Sequence, residues 1–323
     1  MKQQSKARAH TNIALIKYWG KRDNKLFLPM NSSLSLTLDA FYSETSVELS
    51  DSFEADSFIL NDQPQNSQET AKISHFLDLF RQTAGIKTAA KVVSQNFVPT
   101  AAGLASSASA FAALGAAMNH ATGLNLDLAE LSTYVRRGSG SATRSVYGGF
   151  VEWQMGTTSA DSLAVEIDDA SWDIGMITVA VNTNKKTLSS RDGMKLTVET
   201  SAFYPAWLES AAKDLVSIKE AIHKQDFQQL GEITESNGMK MHGTMLGATP
   251  PFSYWEALTV EVLTKIREIR RQGWQCYFTM DAGPNVKILC RYSDAEAIQK
   301  LLTTAFPDNP VIISKVGSGV KLI

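Results

Sequence analysis

One stretch constrains this chain more than any other. Residues 99–110, PTAAGLASSASA, lie between a strand-like segment at 91–97 and a helix of small residues at 111–120. A loop made of small residues lets backbone N–H groups approach a ligand closely. A helix starting directly behind it aims four unpaired N–H groups and the positive end of its dipole at the same point. Strand, loop and helix in this order suit an anion site, and the Ser106 and Ser107 hydroxyls extend its reach to a phosphate or its metal. No G-K-[ST] follows, so this is not a Walker A loop. Taken alone, the small residues suit a closely packed helix equally well. The preceding strand favours phosphate.

The rest of the chain bounds what such a site can serve. A length of 323 residues leaves room for two domains, each with its own core. A net charge of −2 supplies no general attraction to nucleic acid or to a membrane surface, so cations must be gathered locally. No apolar run reaches the ~18 residues that span a bilayer, and the first ten residues carry no signal-peptide core. The two cysteines, Cys276 and Cys290, fall in predicted strands; buried reduced thiols and a cytoplasmic location are expected. A cross-strand disulfide between them is left open at this level.

Periodicity supplies the framework. Alternation over residues 5–16, and then at Leu34, Leu36 and Leu38, predicts strands, with more between 45 and 60. Ile73, Phe76, Leu77, Phe80 and Ala84 share one helix face that ends at Gly85. Asp127 and Glu130 predict a capping box on a helix that turns Leu128, Leu131, Tyr134 and Val135 inward. From residue 174 the order is strand, helices, strand, strand, helix, strand. This is the split βαβ pattern of a ferredoxin-like α+β domain. We therefore expect a boundary near residue 180. Residues 1–180 would form a nucleotide-binding domain with the phosphate loop, residues 181–323 a ferredoxin-like domain, with the site between them.

Four loops share serine, glycine and cations: residues 18–22, 103–107, 139–144 and 185–191. Against a net charge near zero, they indicate cations collected round an anionic ligand, arginine for bidentate contacts and lysine as a point charge. Lys195 and Arg137 are expected to face solvent instead. Asp281 opens a tight turn after an apolar strand. That position is common for a structural aspartate, and it also suits a general base on a rigid strand end. The five histidines are scattered, and neither G-x-S-x-G nor a post-strand G-x-G-x-x-G occurs. Hydrolase and Rossmann readings lose ground accordingly.

The loop at 99–108 resembles the phosphate-binding motif of the GHMP kinase superfamily, with Ala105 where many members have glycine. More specifically, residues 12–23, 138–145, 189–194 and 279–285, in that order, resemble motifs of the mevalonate diphosphate decarboxylase family. The resemblance implies a two-domain GHMP kinase fold of α+β class, with an N-terminal domain like domain 2 of ribosomal protein S5. It implies ATP-dependent decarboxylation of 5-diphosphomevalonate to isopentenyl diphosphate, with ATP and Mg²⁺. By similarity, Asp281 is the base for the 3-hydroxyl and Arg144 holds the substrate carboxylate. Asn12, Tyr18, Lys21, Ser139, Gly140, Ser141, Ser190 and Arg191 serve the substrate diphosphate. Gly103, Leu104, Ala105, Ser106 and Ser107 cradle the ATP phosphates, the two serines together with Mg²⁺. Lys72 and Asn96 are further nucleotide-side candidates, and either Lys185 or Lys186 neutralises phosphate charge. A homodimer is expected from relatives, and segments 61–67 and 183–195 are candidates for closing over ligands. The alternatives are a related small-molecule kinase, a decarboxylase of the monophosphate, and a non-catalytic nucleotide-binding homologue. Lys21 with Arg191 favours a diphosphate, and the presence of both Asp281 and Arg144 argues against lost catalysis.

Overall fold

The computed structural model describes residues 4–97, 107–182, 184 and 187–323. Strands β1 (Gln4–Ile16), β2 (Lys21–Asp23), β3 (Leu28–Pro29), β4 (Ser33–Leu49), β5 (Ser57–Leu60) and β6 (Gln63–Pro64) lead into helix α1 (Ser67–Ala84). Strand β7 (Ala90–Phe97), helices α2 (Ser107–Thr122) and α3 (Leu128–Arg136), a 3₁₀ segment (Gly140–Val146) and strands β8 (Phe150–Trp153) and β9 (Ala164–Asp168) follow. Then come β10 (Gly175–Val179), α4 (Ser190–Thr200), α5 (Tyr204–His223), α6 (Phe227–Leu246) and α7 (Ala257–Arg271). The chain finishes with β11 (Cys276–Met280), β12 (Val286–Cys290), α8 (Ala295–Ala305), β13 (Val311–Ser314) and β14 (Lys321–Leu322).

The first sheet has eight strands in the order β14-β1-β4-β7-β5-β6, with β8 joined to β4 and β9 to β8. Its spine is the long antiparallel pair β1 and β4, whose register shifts at His10/Thr11. On one side of that shift β4 pairs with β8, and on the other with β7. Ala7, Val47 and Val92 pack under Phe76, Leu77 and Phe80 of α1, while Ala9 meets Ala112 and Ala113 of α2. The small residues of α2 therefore do serve close packing. They let the helix lie on the sheet and bring its first residue to the cavity described below. Gly85 ends α1 in the left-handed conformation, its N–H donating to the Arg81 carbonyl. The Asp127/Glu130 capping box forms as predicted. Leu131 and Val135 are buried, but Leu128 is 38% exposed. As the first residue of α3, it lies beyond the packed turns.

The second sheet runs β11-β12-β10-β13 with every pair antiparallel. Numbered along the chain, that is 2-3-1-4, the ferredoxin-like arrangement. One face packs on Val262, Ile266 and Ile269 of α7 and Ile298 and Leu302 of α8. The other carries Met176, Tyr277 and Leu289 against Leu215, Ile218 and Ile222 of α5 and Phe227 and Leu230 of α6. Ile13, Leu15 and Leu36 of the first sheet join the same cluster, so α5 and α6 form a layer shared by both sheets. Cys276 and Cys290 stand directly opposite each other as buried free thiols. Strand β14 returns to the first sheet beside β1.

The basic segment at 185–191, expected to be a loop, gives way to helix α4 at Ser190. The Ser189 hydroxyl accepts the Asp192 N–H, which is a capping signature hidden inside a run of cations. Ser189 is thereby the N-cap, and the Asp192 carboxylate in the first turn accepts from the Ser189 hydroxyl at 2.5 Å.

Gly20 lies at φ +114, where the chain leaves β1 for β2. A Cβ there would collide with Tyr204 Oη, which donates to the Trp19 carbonyl at 2.6 Å, and would come within 2.9 Å of Val198. Gly20→Ala is expected to cost about 1–3 kcal/mol through backbone strain. The check is a thermal melt; an unchanged midpoint would show that the turn is not under this constraint.

Candidate active site

A cavity of about 380 Å³ opens where the end of β1, the start of α2, the 3₁₀ segment, α4 and the β11–β12 turn converge. Asn12, Tyr18, Lys21, Ser107, Ser139, Gly140, Ser141, Arg144, Ser190, Arg191 and Asp281 all line it. These residues come from five separate segments, and the fold gathers them at one place. Lys72 and Asn96 lie elsewhere among the described residues. Lys72 is paired with Glu69 at 2.6 Å on the exposed side of α1, and Asn96 Oδ1 accepts from Ser43 Oγ at 2.7 Å. Gly103, Leu104, Ala105, Ser106, Lys185 and Lys186 fall outside the described residues. Lys195 and Arg137 are exposed, as expected.

The chemistry centres on Asp281. Apolar alternation along β1 anchors Ile13 and Leu15 in the core, and Lys17 follows one residue past the strand. The Lys17 side chain is 1% exposed and its Nζ donates to Asp281 Oδ1 at 2.8 Å. Its backbone is held as well: the N–H donates to Asn237 Oδ1 at 2.9 Å, and the carbonyl accepts from Asn31 Nδ2 at 2.8 Å. On the other side, Lys287 Nζ lies 3.7 Å from Asp281 Oδ2 and donates to the Asn285 carbonyl at 3.1 Å. Burial pushes both lysine pKa values down, and the Asp281 carboxylate opposes that shift. A buried ammonium is costly unless paired, and two of them beside one carboxylate favour its charged form. Neither lysine is singled out by the sequence motifs. The available signal is Lys287 itself, a cation between Val286 and Ile288 in an apolar strand.

Arg144 was expected on a loop and is instead 2% exposed within the 3₁₀ segment. Its Nε donates to Asn12 Oδ1 at 3.3 Å and its Nη1 to Ser33 Oγ at 2.6 Å. Asn12 Nδ2 in turn donates to the Ser141 carbonyl at 2.9 Å and Ser145 Oγ at 2.8 Å. Burial lowers the Arg144 pKa to about 10, with the Asp281 charge opposing, so the group is a cation at neutral pH. Among the described residues no carboxylate forms an ion pair with it. It is a buried positive charge with only neutral hydrogen-bond partners, facing a cavity.

The remaining walls follow the same logic. The Tyr18 ring packs on Trp153 with centroids 4.8 Å apart. A Cβ on Gly140 would come within 2.9 Å of that ring, so glycine is needed for the contact. The Tyr18 hydroxyl is buried without a partner among the described residues, and burial raises its pKa, leaving a neutral donor. Lys21 Nζ sits 3.5 Å over the Phe27 ring; burial, with Arg191 nearby, lowers its pKa to about 8. Ser139 Oγ reaches Ser107 Oγ at 3.4 Å and Ser141 Oγ at 3.2 Å, a row of hydroxyls at the start of α2. Among the described residues there is no cluster of His, Cys, Asp and Glu able to hold a metal, and no helix long and apolar enough to cross a membrane.

Strand β7 and helix α2 on either side of the small-residue segment 98–106, with a ferredoxin-like sheet across the cavity, define a protein of the two-domain GHMP kinase fold. The family model for the diphosphomevalonate decarboxylase-like N-terminal domain matches residues 9–164, and that for the mevalonate 5-diphosphate decarboxylase C-terminal domain matches residues 176–320. The chain belongs to the diphosphomevalonate decarboxylase family. It is 36% identical over 319 residues to the diphosphomevalonate decarboxylase of Candida albicans, covering 94% of this chain and 88% of that one. The crystal structure of mevalonate diphosphate decarboxylase from Staphylococcus aureus is 48% identical with a TM-score of 0.96, covering 100% of this chain and 98% of that one. The protein designated MDDEF, in complex with MVAPP, AMPPCP and magnesium, is 52% identical with a TM-score of 0.95 over 99% of both chains.

Proposed function

We propose that this chain catalyses the ATP-dependent decarboxylation of (R)-5-diphosphomevalonate to isopentenyl diphosphate, ADP, phosphate and CO₂, a step of the mevalonate pathway of isoprenoid biosynthesis. The observation that carries this reading is Arg144, a buried cation with no acidic partner among the described residues, sharing one cavity with the lysine-held Asp281. A tertiary hydroxyl leaves poorly and a phosphate ester leaves well. The 3-hydroxyl oxygen attacks the γ-phosphorus of ATP while its proton passes to Asp281. Phosphate then departs with the C–O bonding pair. The C–C bond to the carboxylate supplies the new double bond as CO₂ leaves. Arg144 holds the carboxylate beside Asp281 and stabilises charge on the departing phosphate. Asn12 acts through Arg144, since its amide is already engaged by Arg144, Ser141 and Ser145. Trp19, Met194, Met241 and Ala282 give the cavity an apolar side that limits water near a carbocation-like centre.

Tyr18, Lys21, Ser139, Gly140, Ser141, Ser190 and Arg191 serve the substrate diphosphate. Ser107 and the N-terminus of α2 suit the ATP phosphates, with Gly103, Leu104, Ala105 and Ser106 completing the cradle. The Ser107 hydroxyl, with Ser106, is a hard oxygen donor of the kind that holds Mg²⁺, which would neutralise triphosphate charge there. Lys186, or Lys185, adds a cation, and Lys72 and Asn96, which do not line the cavity, stay as further candidates for the nucleotide. The MDDEF complex with MVAPP, AMPPCP and magnesium supports ATP and Mg²⁺ as the ligands beside the diphosphate substrate. The cavity takes residues from both 1–180 and 181–323, which supports a site between two domains divided near residue 180. A cytoplasmic homodimer completes the reading.

Lys21 carries its charge below a pH of about 8 and loses it above. The KM for the diphosphate substrate is therefore expected to rise as pH passes about 8, and Lys21→Arg to suppress that rise. A KM that stays flat across this range in the unaltered chain would remove Lys21 from the diphosphate site. The substrate reading itself is tested by CO₂ release from 5-diphosphomevalonate and from 5-phosphomevalonate, each with ATP and Mg²⁺. A higher kcat/KM with the diphosphate is expected. Preference for the monophosphate, ADP without CO₂, or no turnover would each point to one of the three alternatives.

A further inference from the structure

Along β12, Val286, Ile288 and Cys290 face α7 and α8, while Lys287 alternates onto the opposite face together with Leu289. Its cross-strand neighbours there are Thr178 and Thr279, with Met176 and Tyr277 beyond them. An apolar side chain would fill such a place without losing any hydration. A lysine that is only 3% exposed gives up almost all of its water. The Thr178 and Thr279 hydroxyls beside it have no hydrogen-bond partner among the described residues, so they do not compensate it. Its two oxygen contacts among the described residues lie in the turn that begins at Asp281: the Asn285 carbonyl at 3.1 Å and Asp281 Oδ2 at 3.7 Å. Asn285 Oδ1 accepts the Val181 and Asn182 N–H groups at 2.7 and 3.0 Å. Ammonium, turn and the exit of β10 are thus one connected unit.

We propose that Lys287 is a positioning residue for the reaction, fixing Asp281 Oδ2 while Lys17 fixes Oδ1, so that the carboxylate presents one orientation and stays anionic to receive the 3-hydroxyl proton. The proposal rests on the decarboxylase reading above. Among the described residues, the charged and titratable groups facing Asp281 are Lys17 from the end of β1, Arg144 from the 3₁₀ segment, His242 from α6 and Lys287 itself. His242 is buried, and burial together with Lys17 lowers its pKa to about 3, so it is neutral in ordinary assays. Among the described residues two ammonium groups therefore hold the Asp281 carboxylate, and Lys287 is the one that is also bonded to its turn.

The test is Lys287→Met, which keeps the length of the side chain and removes the ammonium. A loss of about 10²-fold in kcat is expected from misplacement of the base, with the KM for 5-diphosphomevalonate unchanged. The acid limb of the kcat–pH profile is expected to move up by about one unit as one cation is lost. Lys287→Arg, which keeps the charge, should leave that limb in place. Should Lys287→Met not fold, Lys287→Gln retains a donor for the Asn285 carbonyl without the charge and should show the same upward move. An unchanged kcat and limb in the neutral variant, a rise in KM alone, or an equal shift in Lys287→Arg would overturn the proposal. If the unaltered chain releases no CO₂, the decarboxylase reading fails first; if it does and the variants match it, only the role of Lys287 fails.

Discussion

Asp281→Asn is expected to lose about 10²–10⁴-fold in kcat, the usual contribution of a positioned general base, while affinity for 5-diphosphomevalonate stays near that of the unaltered chain. The substitution keeps the shape of the side chain and its place at the end of β11. It removes the charge that Lys17 and Lys287 meet at 2.8 and 3.7 Å. Two buried ammonium groups would then face a neutral amide, so a thermal melt must accompany the kinetics to separate lost chemistry from lost fold. Calorimetric titration of the substrate, together with CO₂ release under saturation, reads the two effects apart. A large loss of binding with a substantial residual rate would show that Asp281 holds the substrate and does not take its proton.

Arg144→Gln is the second large effect. The guanidinium is a buried cation bonded only to Asn12 and Ser33 among the described residues, which leaves its charge for the ligand. Losing it removes a charge-assisted contact to the substrate carboxylate, so KM should rise. It also removes stabilisation of the charge that develops on the departing phosphate, at a cost of about 10²–10³-fold in kcat. Arg144→Lys is not expected to rescue, because a point charge cannot reproduce the planar fork held by Asn12 and Ser33. Single-turnover kinetics give a sharper view: ADP should form ahead of CO₂ in the variant. An unchanged kcat with only a raised KM would confine Arg144 to substrate binding.

Much of the fold is legible in the sequence where apolar periodicity is strong. Strand β7 followed by helix α2, the α1 face ending at Gly85, the capping box of α3 and the split βαβ order from residue 174 all follow from local rules. Alanine-rich α2 sits where the packing and the phosphate readings agree, because a helix that lies flat on the sheet is also one whose start reaches the cavity. Local rules fail where one signal masks another. The Ser189/Asp192 cap of α4 is hidden within a run of cations, which composition reads as a loop. The lysines that hold Asp281 are hidden for a different reason. Lys17 reads as part of a basic turn and Lys287 as a break in an apolar strand, and only the packing of β1 against the second half of the chain brings Lys17 to a carboxylate 264 positions away. Arg144 shows the same limit: its residue type points to an anion, but its burial, which decides the strength of that contact, arises from the 3₁₀ turn and from Asn12 and Ser33.

The most direct test is a stoichiometry. The purified chain, with ATP, Mg²⁺ and (R)-5-diphosphomevalonate labelled at the carboxyl carbon, should release labelled CO₂, phosphate and ADP in equal amounts, with no CO₂ when ATP is withheld. ADP formed with the label retained in a phosphorylated product, or CO₂ formed without ATP, would contradict a site in which Asp281 and Arg144 couple phosphoryl transfer to loss of the carboxylate.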